Sequence, residues 1–267
     1  MTPSIAPLRN VAALIGLVER VQSRAFGLPG MATFYGPSGW GKTTAVTVAA
    51  NEYQAHVVQV KDCWTPTYLA QAILREIGLP PQRGVAAMVD AIGAQLARSD
   101  RPLIIDDAQY LLRKRMVELA RDIYESSQAP VILVGEEKLP QDLTRWENIH
   151  NRQLAWEPAL ACNLSDAEKL APIYAAGVDV APDLLAAIVA ASGGSIRRVS
   201  TNLARAKELA MGRGRRLADL ELWGNRVFDT GQPPAVRRVD DFRPVARPEK
   251  REDTVVPLAK VAKEPRE

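Results

Sequence analysis

The sequence predicts an α/β fold in which helices sandwich a parallel sheet, and two observations carry the prediction. Up to Gly135, short apolar runs alternate with helix-length amphipathic stretches, a pattern that implies right-handed crossovers between parallel strands. At one strand-to-helix junction lies Gly36-Pro37-Ser38-Gly39-Trp40-Gly41-Lys42-Thr43, a glycine-rich loop with phosphate-binding spacing.

The elements follow in order. Residues 8–25 place Leu8, Val11, Leu14, Ile15, Val18 and Val21 at helical spacing, with charges on the other side. Gly27-Leu28-Pro29-Gly30 breaks that helix, and Met31–Tyr35 reads as a strand running into the glycine-rich loop. Thr43–Tyr53 is helix-like and rich in alanine, and His56–Val60 is a second strand. Tyr68–Ile77 is a helix closed by Gly78 with Pro80 just beyond, and Val85–Ala97 is another. Pro102 introduces Leu103-Ile104-Ile105-Asp106-Asp107, an apolar run ending in two carboxylates that suits a strand buried on both faces. Met116–Ser126 is an amphipathic helix, and Pro130–Val134 is a further buried strand ending at Gly135.

Beyond about residue 163 the pattern changes. Ser165 with Glu168 reads as a capping box, and Pro182–Ala191 and Ile196–Met211 as helices separated by Gly193-Gly194. The expected organisation is an α/β nucleotide-binding domain over residues 1–162 and a small all-helical lid domain over 163–231. A tail over 232–267, rich in Pro, Arg, Glu and Lys, is expected to be disordered, as a solvating linker or as a partner-docking segment.

Composition narrows the class. The 267 residues are 47% hydrophobic and 24% charged with a net charge of +3, enough for a packed core and compatible with an anionic partner. Cys63 and Cys162 are far apart without metal-ligand spacing, which favours a reducing compartment, and each reads as a small buried hydrophobe. His56 and His150 cannot alone make a His-rich metal site. Neither an export signal nor an apolar run of membrane-spanning length is apparent, so a cytoplasmic protein without a membrane role is expected.

The loop satisfies GxxxxGK[ST] with Gly36, Gly41, Lys42 and Thr43. In such a loop successive backbone N–H groups turn inward around phosphate, helped by the following helix N-terminus. Gly36, Pro37, Ser38, Gly39, Trp40, Gly41, Lys42, Thr43 and Thr44 are therefore the expected contacts to ATP. Lys42 would meet the β- and γ-phosphates, and the Thr43 hydroxyl would ligate Mg²⁺. Asp106 is read as the carboxylate that helps hold Mg²⁺ and Asp107 as the general base acting on water.

Together these segments resemble the AAA+ ATPases over about residues 8–215. Ile105-Asp106-Asp107-Ala108-Gln109 is similar to the DEAQ box of the transposition ATPases, the phage Mu B and TniB-type proteins. Val131-Ile132-Leu133-Val134-Gly135 followed by Glu136 resembles their strand ending in glycine. The chain departs from the pattern in two ways. Asp107 stands where the family has Glu, which implies slow hydrolysis, and about 30 residues precede the loop, too few for the helix-turn-helix domain of the Mu protein.

The resemblance implies an ATP site completed by arginines. Arg152 in Asn151-Arg152-Gln153 resembles the finger arginine, with Arg145 as the alternative. In Gly193-Gly194-Ser195-Ile196-Arg197-Arg198, Arg197 resembles the lid's sensor arginine, with Arg198 second. It further implies a slow ATPase stimulated by DNA or a partner, which self-associates in rings or filaments on double-stranded DNA and activates a transposase. The setting would be a bacterial or phage-infected cell. Between Gly193 and Arg226 eight basic residues face three acidic ones, so Arg213, Arg215 and Arg216 are candidate phosphate contacts, with Arg113-Lys114-Arg115 a second cluster. No base-reading motif is visible, so contact would be to the backbone. Three other readings stay open: a clamp-loader or initiator-type replication ATPase, a small-molecule P-loop kinase, and an ATP-bound scaffold with negligible hydrolysis.

Overall fold

Each predicted strand of the α/β part forms, and all lie parallel in one sheet. The computed structural model describes residues 6–113 and 115–232. The first part comprises α1 (Arg9–Gln22), β1 (Met31–Tyr35), α2 (Lys42–Tyr53), β2 (His56–Gln59), α3 (Pro66–Glu76), α4 (Val85–Ser99) and β3 (Leu103–Asp106). It continues with α5 (Gln109–Arg113), α6 (Val117–Ser127), β4 (Val131–Gly135), α7 (Leu139–Leu143), α8 (Glu147–His150) and β5 (Gln153–Pro158). The remainder is α9 (Leu164–Tyr174), β6 (Asp179–Val180), α10 (Pro182–Ser192), α11 (Ile196–Gly212), β7 (Leu217–Ala218) and α12 (Leu220–Trp223). The chain through Gly231 packs as one unit, and the expected tail from Pro233 onward lies outside the described residues.

The sheet order is β2-β3-β4-β1-β5. The inner strands β3 and β4 are buried along their whole length and β1 up to its last residue, which is why they read as apolar runs, broken in β1 only by Thr33. Alternation splits their side chains between two cores. Ala32, Phe34, Ile104, Ile132 and Val134 face α1, α2 and the lid, whereas Met31, Leu103, Ile105, Val131 and Leu133 face α3, α4 and α6. Leu14, Leu17, Val18 and Val21 of α1 are at most 2% exposed. Burying side chains of this size stabilises the fold by about 1.5–3 kcal/mol each before entropy is counted. All strands are parallel, so Tyr35, Gln59, Asp106 and Gly135 end on one edge of the sheet. Ligands of open α/β sheets bind at that edge.

Some expectations need correction. The strand β5, half-buried and with only Leu154-Ala155-Trp156 apolar in its middle, pairs with β1 at the sheet edge and was not anticipated. The capping box that opens α9 is formed by Asn163 and Asp166, not by Ser165 and Glu168: Asn163 Oδ1 accepts from the Asp166 amide at 2.9 Å, and Asp166 answers the Asn163 amide. The lid is not purely helical, because β6 and β7 make a two-residue parallel pair. Cys162 is buried as expected, but Cys63 is exposed in the loop between β2 and α3.

Candidate nucleotide site

The glycine-rich loop links β1 to α2, and its backbone explains the glycines. Gly39 and Gly41 adopt φ of +81° and +82°, a left-handed region that L side chains enter at a cost. A Cβ on Gly41 would also stand 2.7 Å from Ile196 Cδ1. The lid helix α11 rests on this loop: the Arg197 amide and the Ser195 hydroxyl both donate to the Gly39 carbonyl, at 3.1 and 3.4 Å. Asn10 of α1 fastens the other side. Its Nδ2 donates to the Trp40 and Leu160 carbonyls at 2.8 and 2.9 Å, and its Oδ1 accepts from the Leu160 amide at 2.7 Å.

Lys42 Nζ donates to the Gly36 and Pro37 carbonyls at 2.6 and 2.9 Å. Burial pulls its pKa below the ordinary lysine value, opposed by the charges of Asp106, Asp107 and Glu136. Thr43 Oγ1 donates to Asp106 Oδ2 at 2.9 Å, so α2 and β3 bring together the two oxygens assigned to Mg²⁺. Asp106 is 2% exposed, and burial pushes its pKa up, against the hydrogen bonds from Thr43 and the Asp107 amide. A buried carboxylate beside a hydroxyl is a hard-oxygen donor set that fits Mg²⁺, which takes its remaining ligands from phosphate and water. Among the described residues no three His, Cys, Asp or Glu converge as a metal cage.

Asp107 lies one residue past β3 with φ of +55°, a conformation uncommon for a residue with a side chain. Its carboxylate is held from two sides, by Gln59 Nε2 at 2.9 Å and Gln109 Nε2 at 3.2 Å. The other end of the Gln109 amide accepts from the Glu136 backbone N–H at 3.3 Å. Sequence reasoning missed Gln59, Asn10 and Ser195 as site residues. Ser195, directly before a helix start, carried a readable N-cap signal, and the other two carried none.

Loop, Asp106, Asp107, Glu136 and the α11 face from Arg197 line one cleft of about 730 Å³. Arg197 lines this cleft, whereas Arg198 instead donates to the Ser192 carbonyl at 3.5 Å. Arg152 is not in this cleft. It precedes β5, at the opposite end of the sheet, where it pairs with Glu125 and donates to the Asn148 carbonyl at 2.6 Å. Arg145 lines a neighbouring cleft with Arg113 and Arg115. Arg113 pairs with Asp62 at 2.8 Å, and Lys114 lies outside the described residues. Arg213, Arg215 and Arg216 are exposed in the lid between α11 and β7, with Arg215 paired to Asp219 at 2.7 Å.

This fold and this loop define a P-loop nucleotide-binding protein with the AAA+ architecture. Comparison with known families agrees: residues 27–143 match the AAA domain. No curated protein matches the chain in sequence. Among solved structures the chain is similar to Cdc6p from Pyrobaculum aerophilum, at 18% identity and a TM-score of 0.58, over 82% of this chain and 66% of that one. It is similar also to the Aeropyrum pernix ORC1 protein in complex with DNA, at 21% identity and 0.55, over 82% and 64%. The Thermotoga maritima RuvB Holliday junction branch migration motor matches at 19% identity and 0.55, over 81% and 67%. The chain spans about two thirds of these proteins' lengths.

Among the described residues no helix is long and apolar enough to cross a membrane.

Proposed function

We propose that the protein is an ATP-dependent, self-associating DNA-binding ATPase that delivers target DNA and activates a transposase. The observation that carries the ATPase reading is the arrangement around Asp107. This carboxylate lines the P-loop cleft, gripped by Gln59 and Gln109 and one residue from the Thr43–Asp106 pair, and would polarise water near a γ-phosphate. Lys42 and the loop amides would hold the phosphates, Thr43 and Asp106 the Mg²⁺, and Arg197 would approach from the lid. Bound Mg²⁺ would neutralise phosphate charge. Arg152, remote from its own cleft, can serve as a finger only towards a neighbouring copy, which is the reason self-association belongs to the reading.

The DNA part is supported by exposed arginines at Arg113, Arg115, Arg213 and Arg216, and by likeness to proteins described in complex with DNA or as a branch migration motor. The transposase part rests on Asp106-Asp107-Ala108-Gln109 alone. Fold likeness to the Cdc6 and ORC proteins keeps the replication reading as the second one.

Electron microscopy with duplex DNA and a nonhydrolysable ATP analogue is expected to show rings or filaments on the DNA. A monomer indifferent to DNA would overturn the proposal in favour of a small-molecule kinase. Pull-downs against a transposase and a replicase separate the first reading from the second. Asp107→Glu, one methylene longer, is expected to speed ATP turnover, and an unchanged rate would count against the slow-hydrolysis reading.

A further inference from the structure

Beside the nucleotide cleft lies a second cleft, of about 730 Å³, with a cationic wall. Arg113 ends α5, Arg115 follows in the turn before α6, Lys138 precedes α7, and Arg145 lies between α7 and α8. All four are exposed, and the same wall carries two carboxylates, Glu136 and Asp142. Arg113 is committed to Asp62 and lies over the Tyr110 ring at 5.1 Å. Arg115, Lys138 and Arg145 make no ion pair among the described residues. Three cations without an ion pair outnumber the two carboxylates around this concavity, and the excess positive charge favours a polyanion that bridges them.

The lining also narrows the kind of polyanion. An acidic peptide would need an exposed apolar anchor to fix it, and the two large apolar residues of this wall, Leu112 and Trp146, are half-buried and packed against the core. A phosphate backbone needs cations and donors only. The lining includes Gln109, the residue that holds Asp107 with one end of its amide and the Glu136 backbone with the other. Glu136 lines both clefts.

We propose that this cleft seats the phosphate backbone of duplex DNA, and that Gln109, a positioning residue, passes its occupancy to Asp107. The inference rests on the DNA-binding ATPase reading and adds a location and a route of stimulation. Phosphates drawn against Lys138, Arg145 and Arg115 would shift the Glu136 strand end, and the Gln109 amide would move the carboxylate with it.

The test is titration of fluorescent duplex DNA with the full chain and a nonhydrolysable ATP analogue at several salt concentrations. Lys138→Ala and Arg145→Ala should each lower the salt slope of log affinity by about one, and the double variant by about two. Both side chains are exposed, so the melting temperature should not move. Gln109→Ala should keep the wild-type DNA affinity and salt slope while losing stimulation of ATP turnover by saturating DNA. Wild-type slopes in the double variant, with DNA still bound, would overturn the cleft and leave the DNA reading standing. No DNA binding by the wild type would overturn both. Loss of stimulation in Gln109→Ala only in step with loss of DNA affinity would overturn the route through Gln109.

Discussion

Replacing Asn10 by alanine tests how far the nucleotide loop depends on the helix that precedes it. Asn10 is 3% exposed, and its amide closes three hydrogen bonds of 2.7–2.9 Å with the Trp40 and Leu160 backbones. Alanine leaves two carbonyls and one N–H without their partner. Each orphaned buried polar group costs about 1–3 kcal/mol, and water entering the vacated space recovers part of it, so the net loss is about 2–4 kcal/mol. For a chain of this length that is a fall in Tm of about 5–15 °C. Urea and thermal denaturation of the ligand-free protein read the change. ATP affinity should fall as well, because the Trp40 end of the loop loses its anchor. A loss under about 1 kcal/mol would refute the reasoning, since it would mean that water satisfies all three groups without penalty.

Other consequences can be measured on single variants. Asp106 has a raised pKa from burial, so its stabilising protonated form is fully present below the ordinary carboxylate pKa and is lost as pH rises through the raised value. Asp106→Asn should therefore raise the ligand-free Tm near neutral pH, leave it little changed in acid, and abolish Mg²⁺-dependent ATP turnover; an unchanged neutral Tm would sink this account. His56 has a pKa held below its ordinary 6.5, by burial first and by Arg101 second. Its neutral form stabilises the fold above that pH, and the contribution is lost as pH falls through the lowered value. Melting curves of His56→Phe should accordingly lose part of the acid destabilisation seen in wild type, and parallel pH profiles would contradict it. Burial pushes the Cys162 thiol up to about 11, with Asp166 adding to the shift. Iodoacetamide at neutral pH should thus label exposed Cys63 in the native protein and spare Cys162 until it unfolds. Equal labelling rates would show that Cys162 is accessible.

The inner sheet and the phosphate loop were legible in the residues alone. The strands β1, β3 and β4 are covered on both faces, so their burial appears as largely apolar runs, and the loop's glycines and lysine stand at fixed spacing in one segment. Asp106 and Asp107 were legible for the same reason, as carboxylates ending such a run. Tertiary structure decided what depends on partners distant in sequence. At the edge, β5 has one neighbour and half-buried side chains, so it leaves only the three-residue apolar run Leu154-Ala155-Trp156, too short to mark a strand. Gln59 meets Asp107 across 48 residues and Asn10 meets Leu160 across 150, contacts that no local period encodes. Arg152 was found by its neighbours in sequence, yet the chain turns it to the far end of the sheet. A motif states which groups a segment carries. Where a group points depends on the strand order that packing selects, because a parallel crossover returns each strand to the same edge while the residues just before it stay at the other.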